Sequence, residues 1–236
     1  MHPYITAHSG CDNTPDNSLE SVRRGIALGA DFVEVDVRLD PNGVPRLTHD
    51  MPAAFDALPT LEEALRLAAE GGVGVNCDLK ESAALDAALA LGEGCGLSPA
   101  RLAFSGDVPV ARLLAEPDIA RRATILLNSE ILCAHMAGTD TLTRAEQSLY
   151  IAAHPEEVRE LLAGTGARAL NAPYQALPLM LLRGLRACGV ALSLWTVNDE
   201  ADQRRLLQEN LLNITTRNVR GALAARRSVA SGNRVS

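Results

Sequence analysis

Aromatic side chains are scarce: one Trp, three Tyr and three Phe make up 3% of the 236 residues. The core must therefore be built from Leu, Val, Ile and Ala. Cysteine offers no framework. Cys11, Cys77, Cys95, Cys133 and Cys188 are odd in number, widely spaced and form no CxxC pair, which argues against a disulfide scaffold or a zinc site. Reduced thiols fit a cytoplasmic setting, which is the expected localisation. No apolar run approaches the ~20 residues that span a bilayer, so no integral membrane segment is expected. The stretch Met1-His2-Pro3-Tyr4-Ile5 lacks the charged and apolar regions of a secretory signal. Net positive charge is missing too. The formal charge of −7 argues against nucleic-acid or anionic-membrane partners.

What is present is ordinary for a globular chain, at 47% hydrophobic and 22% charged residues. The length suits one large domain over residues 1–236, with a polar and loosely held tail from 226 to 236. Short β-rich runs alternate with helical ones. Strands are expected at Tyr4–Ala7, Phe32–Val37, Val73–Asp78, Arg101–Phe104, Thr124–Leu127, Arg168–Asn171, Ala191–Trp195 and Leu211–Ile214. Helices fill most gaps. One runs from about Ser18 to Leu28 and stops at Gly29. The next opens on the capping box Thr60-Leu61-Glu62-Glu63, and a last one follows Thr216, whose hydroxyl suits an N-cap. Strands each followed by a helix describe an α/β fold, a (β/α)8 TIM barrel. Arg46–Thr48, after the turn Pro41-Asn42-Gly43, suits a hairpin return beside the second strand. Leu149-Tyr150-Ile151 fits a strand or a helix equally well.

The run Phe32-Val33-Glu34-Val35-Asp36-Val37 carries the strongest chemical signal. The strand period of two puts Glu34 and Asp36 on one face and the three valines on the other. Two unpaired carboxylates in a buried strand are costly, and a bound cation is the simplest compensation. The C-terminal strand ends, where barrel active sites lie, gather further polar groups: His8-Ser9-Gly10, Arg38, His49-Asp50, Asp78-Leu79-Lys80 and Trp195-Thr196-Val197-Asn198. Taken singly, each has a plainer explanation. His8 suits a hydrogen-bonded core histidine, Asp78 and Lys80 can pair with each other, Trp195 can pack, and Pro15-Asp16-Asn17-Ser18 is at minimum a helix start. Glu34 and Asp36 can belong to an ion cluster with Arg38 and Lys80. Cys77 should face away from Asp78 and belong to the core. Together the set suits phosphodiester hydrolysis. Glu34, Asp36 and Asp78 suit a hard divalent cation, Mg²⁺ or Ca²⁺. A cation and Lys80 can neutralise a phosphate. His8 and His49 can act as acid and base, and the Trp195 indole can hold an organic headgroup.

The ordered segments Ala7-His8-Ser9-Gly10, Pro15-Asp16-Asn17-Ser18-Leu19-Glu20, Gly29 to Arg38, Gly43-Val44-Pro45 through His49-Asp50, Asp78-Leu79-Lys80 and Leu194 to Asp199 resemble the glycerophosphodiester phosphodiesterase family, nearly end to end. The resemblance implies a (β/α)8 barrel that hydrolyses a small-molecule glycerophosphodiester to an alcohol and glycerol 3-phosphate, in lipid metabolism. It implies His8 and His49 as the catalytic pair, Glu34, Asp36 and Asp78 as metal ligands, and Lys80 at the phosphate. Three departures stand out. Ser9 replaces the arginine that usually follows the first histidine, and Arg38 is the residue expected to substitute for it. Asp78 replaces a glutamate, one methylene longer. Thr215-Thr216 replaces Thr-Asp at the last strand. Two other activities fit the same residues: lyase or transphosphatidylation chemistry on a lysophospholipid, and non-catalytic phosphoester binding.

Overall fold

The computed structural model describes residues 2–232, with side chains described through residue 230. Its strands are β1 (Tyr4–Ala7), β2 (Phe32–Leu39), β3 (Pro45–Leu47), β4 (Gly74–Leu79), β5 (Leu102–Gly106), β6 (Thr124–Asn128), β7 (Ala169–Pro173), β8 (Leu192–Trp195) and β9 (Asn213–Thr216). They form one sheet in the order β1-β9-β8-β7-β6-β5-β4-β2-β3, and β1 also pairs with β2. Every pairing is parallel except β2 with β3, so the parallel strands close into a (β/α)8 barrel with β3 appended.

The appended strand has a physical reason. β1 covers β2 only at Phe32 and Val33. The far end of β2 would expose unpaired backbone, and β3 covers it through Val37, Arg38 and Leu39. The expected hairpin return is thus present, and it carries the chain back to the rim at His49.

Strand faces divide as the period of two requires. Val33, Val35 and Val37 are buried against the outer layer with Leu61, Leu65 and Cys77. The barrel interior is polar. Thr6 Oγ1 donates to Asn213 Oδ1 at 2.7 Å, and Asn213 Nδ2 donates to Ser193 Oγ at 3.0 Å. Asn76 Nδ2 donates to Ser105 Oγ at 3.0 Å, and Asn171 Nδ2 to Asn128 Oδ1 at 2.7 Å. These pairs satisfy groups that would otherwise be costly to bury.

The helices follow their local signals. Ser18 Oγ accepts from Ser21 N and starts helix Leu19–Leu28, which ends at left-handed Gly29. The Thr60–Glu63 capping box forms in full. Leu149-Tyr150-Ile151, open between strand and helix in the sequence, is helical, inside Arg144–Ala153. Three local features differ from expectation. The last strand lies two residues further on than expected, because Thr215 and Thr216 are buried although polar. The last helix, Val219–Gly232, is capped by Asn218, whose Oδ1 accepts from Gly221 N, rather than by Thr216. That helix also takes in residues 226–232, expected as a loose tail, and Arg226 within it pairs with Asp31 and donates to Pro3 O. Residues 233–236 of the expected tail lie outside the described residues. Among the described residues no helix is long and apolar enough to cross a membrane.

Candidate active site

A cavity of about 560 Å³ opens at the C-terminal rim of the barrel. Its floor is set by register. Asp36 pairs with Asp78 across β2 and β4, and Asp78 with Ser105 across β4 and β5, so their side chains point the same way. Glu34 sits one inward position deeper on β2. One oxygen from each of Glu34, Asp36 and Asp78 lies within 4.8 Å of the others. The shorter Asp78 therefore reaches the cluster despite lacking glutamate's extra methylene.

Asp36 is held from two sides. Asn17 Nδ2 donates to its Oδ2 at 2.7 Å, its backbone N–H donates to Asn17 Oδ1 at 3.0 Å, and Lys80 Nζ lies 2.8 Å from its Oδ1. Lys80 also pairs with Asp78 Oδ2, while Ser105 Oγ donates to Asp78 Oδ1 at 2.6 Å. Glu34 Oε2 accepts from Ser9 N at 3.0 Å. Burial raises the Glu34 carboxyl well above the ordinary range, and Asp36 and Asp78 raise it further. Burial alone would lower the Lys80 ammonium, but Asp78 and Asp36 override it and hold it above the usual lysine value.

The charge balance tests whether a metal fits. Three carboxylates face one ammonium, which leaves an excess of negative charge in a largely buried place. A hard divalent cation with oxygen ligands would cancel it. The donor set fits Mg²⁺ or Ca²⁺.

His8 follows β1. Its Nδ1–H donates to Ser9 O at 2.8 Å and lies 3.8 Å from Glu34 Oε2. A carbonyl only accepts, so Nδ1 carries the proton in the neutral ring and Nε2 is left as an acceptor. His49 Nδ1 lies 2.8 Å from Asp50 Oδ1. The His49 side chain is 65% exposed against 24% for His8, so it stands at the solvent edge of the cavity.

Ser9 lines the cavity, whereas Arg38 does not. Ser9 is only 2% exposed; its Oγ donates to Asn17 Oδ1 at 3.3 Å and accepts from Asn17 N. It braces the residue that braces Asp36. Arg38 is outside the cavity lining, and its Nε donates to His49 O at 2.9 Å. It holds the His49 backbone from outside the cavity, away from where a phosphate-binding arginine would reach. Lys80 and Trp195 do line the cavity. The Arg144 guanidinium lies 6.0 Å from the Trp195 ring centroid.

Several lining residues went unread in the sequence. In the sequence Asn17 reads only as part of a helix start, yet it touches both Ser9 and Asp36. Arg217 pairs with Asp16 at 2.9 Å across the ends of the chain. Gly10, with φ 78°, lets this pair close, because a Cβ there would sit 1.9 Å from Asp16 Oδ1. Asn128, Glu130, Arg144 and Asn171 form the far wall. A polar residue ending each strand was the available signal for the two asparagines, and none existed for Arg144.

The barrel gathers three carboxylates, a lysine and two histidines at one rim. The chain resembles the glycerophosphoryl diester phosphodiesterase family, whose sequence model matches residues 8–70. That span holds His8, Glu34, Asp36 and His49. Among solved structures, a glycerophosphodiester phosphodiesterase from Parabacteroides distasonis aligns with a TM-score of 0.72 at 17% identity, over 97% of this chain and 98% of its own. A phosphodiesterase from Oleispira antarctica, in complex with the product sn-glycerol-3-phosphate, aligns with a TM-score of 0.72 at 19% identity, over 95% of this chain and 96% of its own. A glycerophosphoryl diester phosphodiesterase assigned in Agrobacterium tumefaciens gives 0.75 at 16% identity, over 98% and 100%. These alignments establish the barrel fold. No curated protein matches the chain.

Proposed function

We propose that the chain is a phosphoric diester hydrolase that converts a glycerophosphodiester, or a related small phosphodiester, to an alcohol and glycerol 3-phosphate. The observation that carries this is the convergence of Glu34, Asp36 and Asp78 beside His8 and His49 at one rim. Its similarity to the family over residues 8–70 supports the same reading.

Glu34, Asp36 and Asp78 would hold Mg²⁺ or Ca²⁺. Bound there, the cation would offset charge that builds on the phosphate oxygens. Lys80 fixes Asp36 and Asp78 and adds positive charge at the edge of the phosphate. His8 Nε2, the acceptor nitrogen, suits proton removal from the attacking group. His49, at the open edge, suits proton delivery to the departing alcohol. Trp195 forms the wall against which the organic part of the substrate lies. The reading takes the chain as one domain acting on a small molecule. It places the protein in the cytoplasm, on its five free thiols, and in lipid metabolism, on its similarity to the family.

A hydrolysis screen over Mg²⁺ and Ca²⁺ with glycerophosphocholine, glycerophosphoethanolamine, glycerophosphoglycerol and a chromogenic diester tests it. Turnover of at least one diester, abolished by chelator and restored by one of the two metals, is expected. Chelator-insensitive turnover would remove the metal from the reading.

A further inference from the structure

The charged side chains around the cavity meet opposite charges on the protein, with two exceptions. Asp16 pairs with Arg217, Asp50 with His49, and Lys80 with Asp36 and Asp78, while His8 stands by Glu34. The exceptions are Glu130 and Arg144. Glu130 takes only neutral donors, Asn128 Nδ2 at 2.9 Å and Ser129 Oγ at 3.3 Å. Arg144 has the Trp195 face beneath it and, among the described residues, no carboxylate within ion-pair distance.

These two charges sit on neighbouring helices. Glu130 lies in the first turn of helix Ser129–Ala137, and Arg144 begins helix Arg144–Ala153, which packs against it. Both line the same cavity, and they do not bond each other. Glu130 is also held in place from below. Asn171 Nδ2 donates to Asn128 Oδ1 at 2.7 Å and Asn128 Nδ2 donates to Glu130, with both asparagines 5% exposed. That relay sets the direction of the carboxylate before any ligand arrives.

We propose that this wall recognises a zwitterionic headgroup, with an ammonium on Glu130 and a carboxylate on Arg144. The substrate would be a phosphodiester of an amino-acid alcohol, of which serine is the simplest. The inference rests on the phosphodiesterase reading and specifies the alcohol. A headgroup bearing only a cation leaves Arg144 without a partner. A neutral polyol leaves both charges without one. A headgroup with both charges on one carbon satisfies the pair together, and Arg144 can receive the carboxylate through two parallel N–H donors. Trp195 then packs against the headgroup's apolar edge.

The test is kcat/KM for glycerophosphoserine, glycerophosphoethanolamine, glycerophosphocholine and glycerophosphoglycerol with wild type, Arg144→Met and Glu130→Gln, each checked by thermal melt. Wild type should prefer the serine diester. Arg144→Met should lower the ratio of serine to ethanolamine turnover by about tenfold or more, the size of one lost charge-assisted contact. Glu130→Gln should lower the ratio of ethanolamine to glycerol turnover. A proportional loss on all four diesters would place the pair at the shared phosphoglycerol end and overturn the inference. So would wild-type turnover without serine preference, which leaves the phosphodiesterase reading standing. No turnover of any diester with either metal removes that reading and this inference with it.

Discussion

Asp36 shows how much one side chain is asked to do at this site. Asn17 holds one carboxylate oxygen, Lys80 the other, and lone pairs remain on both for a cation. Behind Asn17 stands Ser9, where the family usually has arginine. From the sequence alone, restoring that arginine should add a phosphate contact and raise activity about tenfold. The structure reverses the expectation. Ser9 is buried and bonded to Asn17, so Ser9→Arg should displace Asn17, loosen Asp36 and weaken metal binding. Calorimetric titration of wild type and Ser9→Arg with Mg²⁺ or Ca²⁺ measures this directly; tighter binding in the variant would contradict it. His8 and His49 make a separate prediction. Each change to Ala should lower kcat on the order of 10²–10⁴ while the thermal melt stays near wild type. Near-normal turnover in His49→Ala would take that residue out of the mechanism. The residues that strand periodicity placed, Glu34, Asp36 and Asp78, were legible because alternation fixes a face. Asn17 and Arg144 were not, because their contacts join positions 19 and 51 residues apart, Asn17 with Asp36 and Arg144 with Trp195, through folding rather than through any local repeat.

Among the elements, the β2–β3 hairpin matters most to the proposed chemistry, because it delivers His49. Asp40 ties its turn together. Its Oδ1 accepts from Asn42 N at 2.9 Å and Val44 N at 3.0 Å, and its Oδ2 accepts from Arg46 Nε at 3.1 Å. The Val44 backbone N–H is the main cause that holds this carboxyl below its ordinary value, with Asn42 and Arg46 adding to it. Since the folded value is the lower one, the turn's stabilisation is complete above the usual carboxylate pKa of about 4 and is lost as pH falls through the lowered value. Asp40→Ala should speed hydrogen exchange over residues 40–48 at neutral pH and reduce kcat more than substrate affinity. In wild type the same segment should lose protection on acidification before the barrel strands do. Equal protection in wild type and variant would show that the turn does not depend on this carboxylate. The elements themselves were largely readable, since all eight expected barrel strands and the Thr60 capping box are present. The shift of the last strand has a local cause: Thr215 and Thr216 are polar yet buried, so local hydropathy misstates what the fold does with them.

For the whole molecule, the barrel separates two tasks. The outer faces of its strands bury Val, Leu and Ile beneath the helices, and this apolar layer supplies the stability. The inner faces carry linked polar side chains that rise to the rim and end in the carboxylate cluster. A site built on strand ends of a closed barrel is held rigidly, which suits in-place electrostatic stabilisation better than a mobile loop would. The central claim is that this rim transfers a phosphoryl group to water. Phosphorus NMR of the reaction run in water enriched with heavy oxygen, with glycerophosphoserine or the best diester from the screen and the preferred metal, reads that transfer directly. The account predicts glycerol 3-phosphate carrying one heavy oxygen on phosphorus, and no such signal in Glu34→Gln. A cyclic phosphate, or glycerol 3-phosphate with no heavy oxygen on phosphorus, would contradict it.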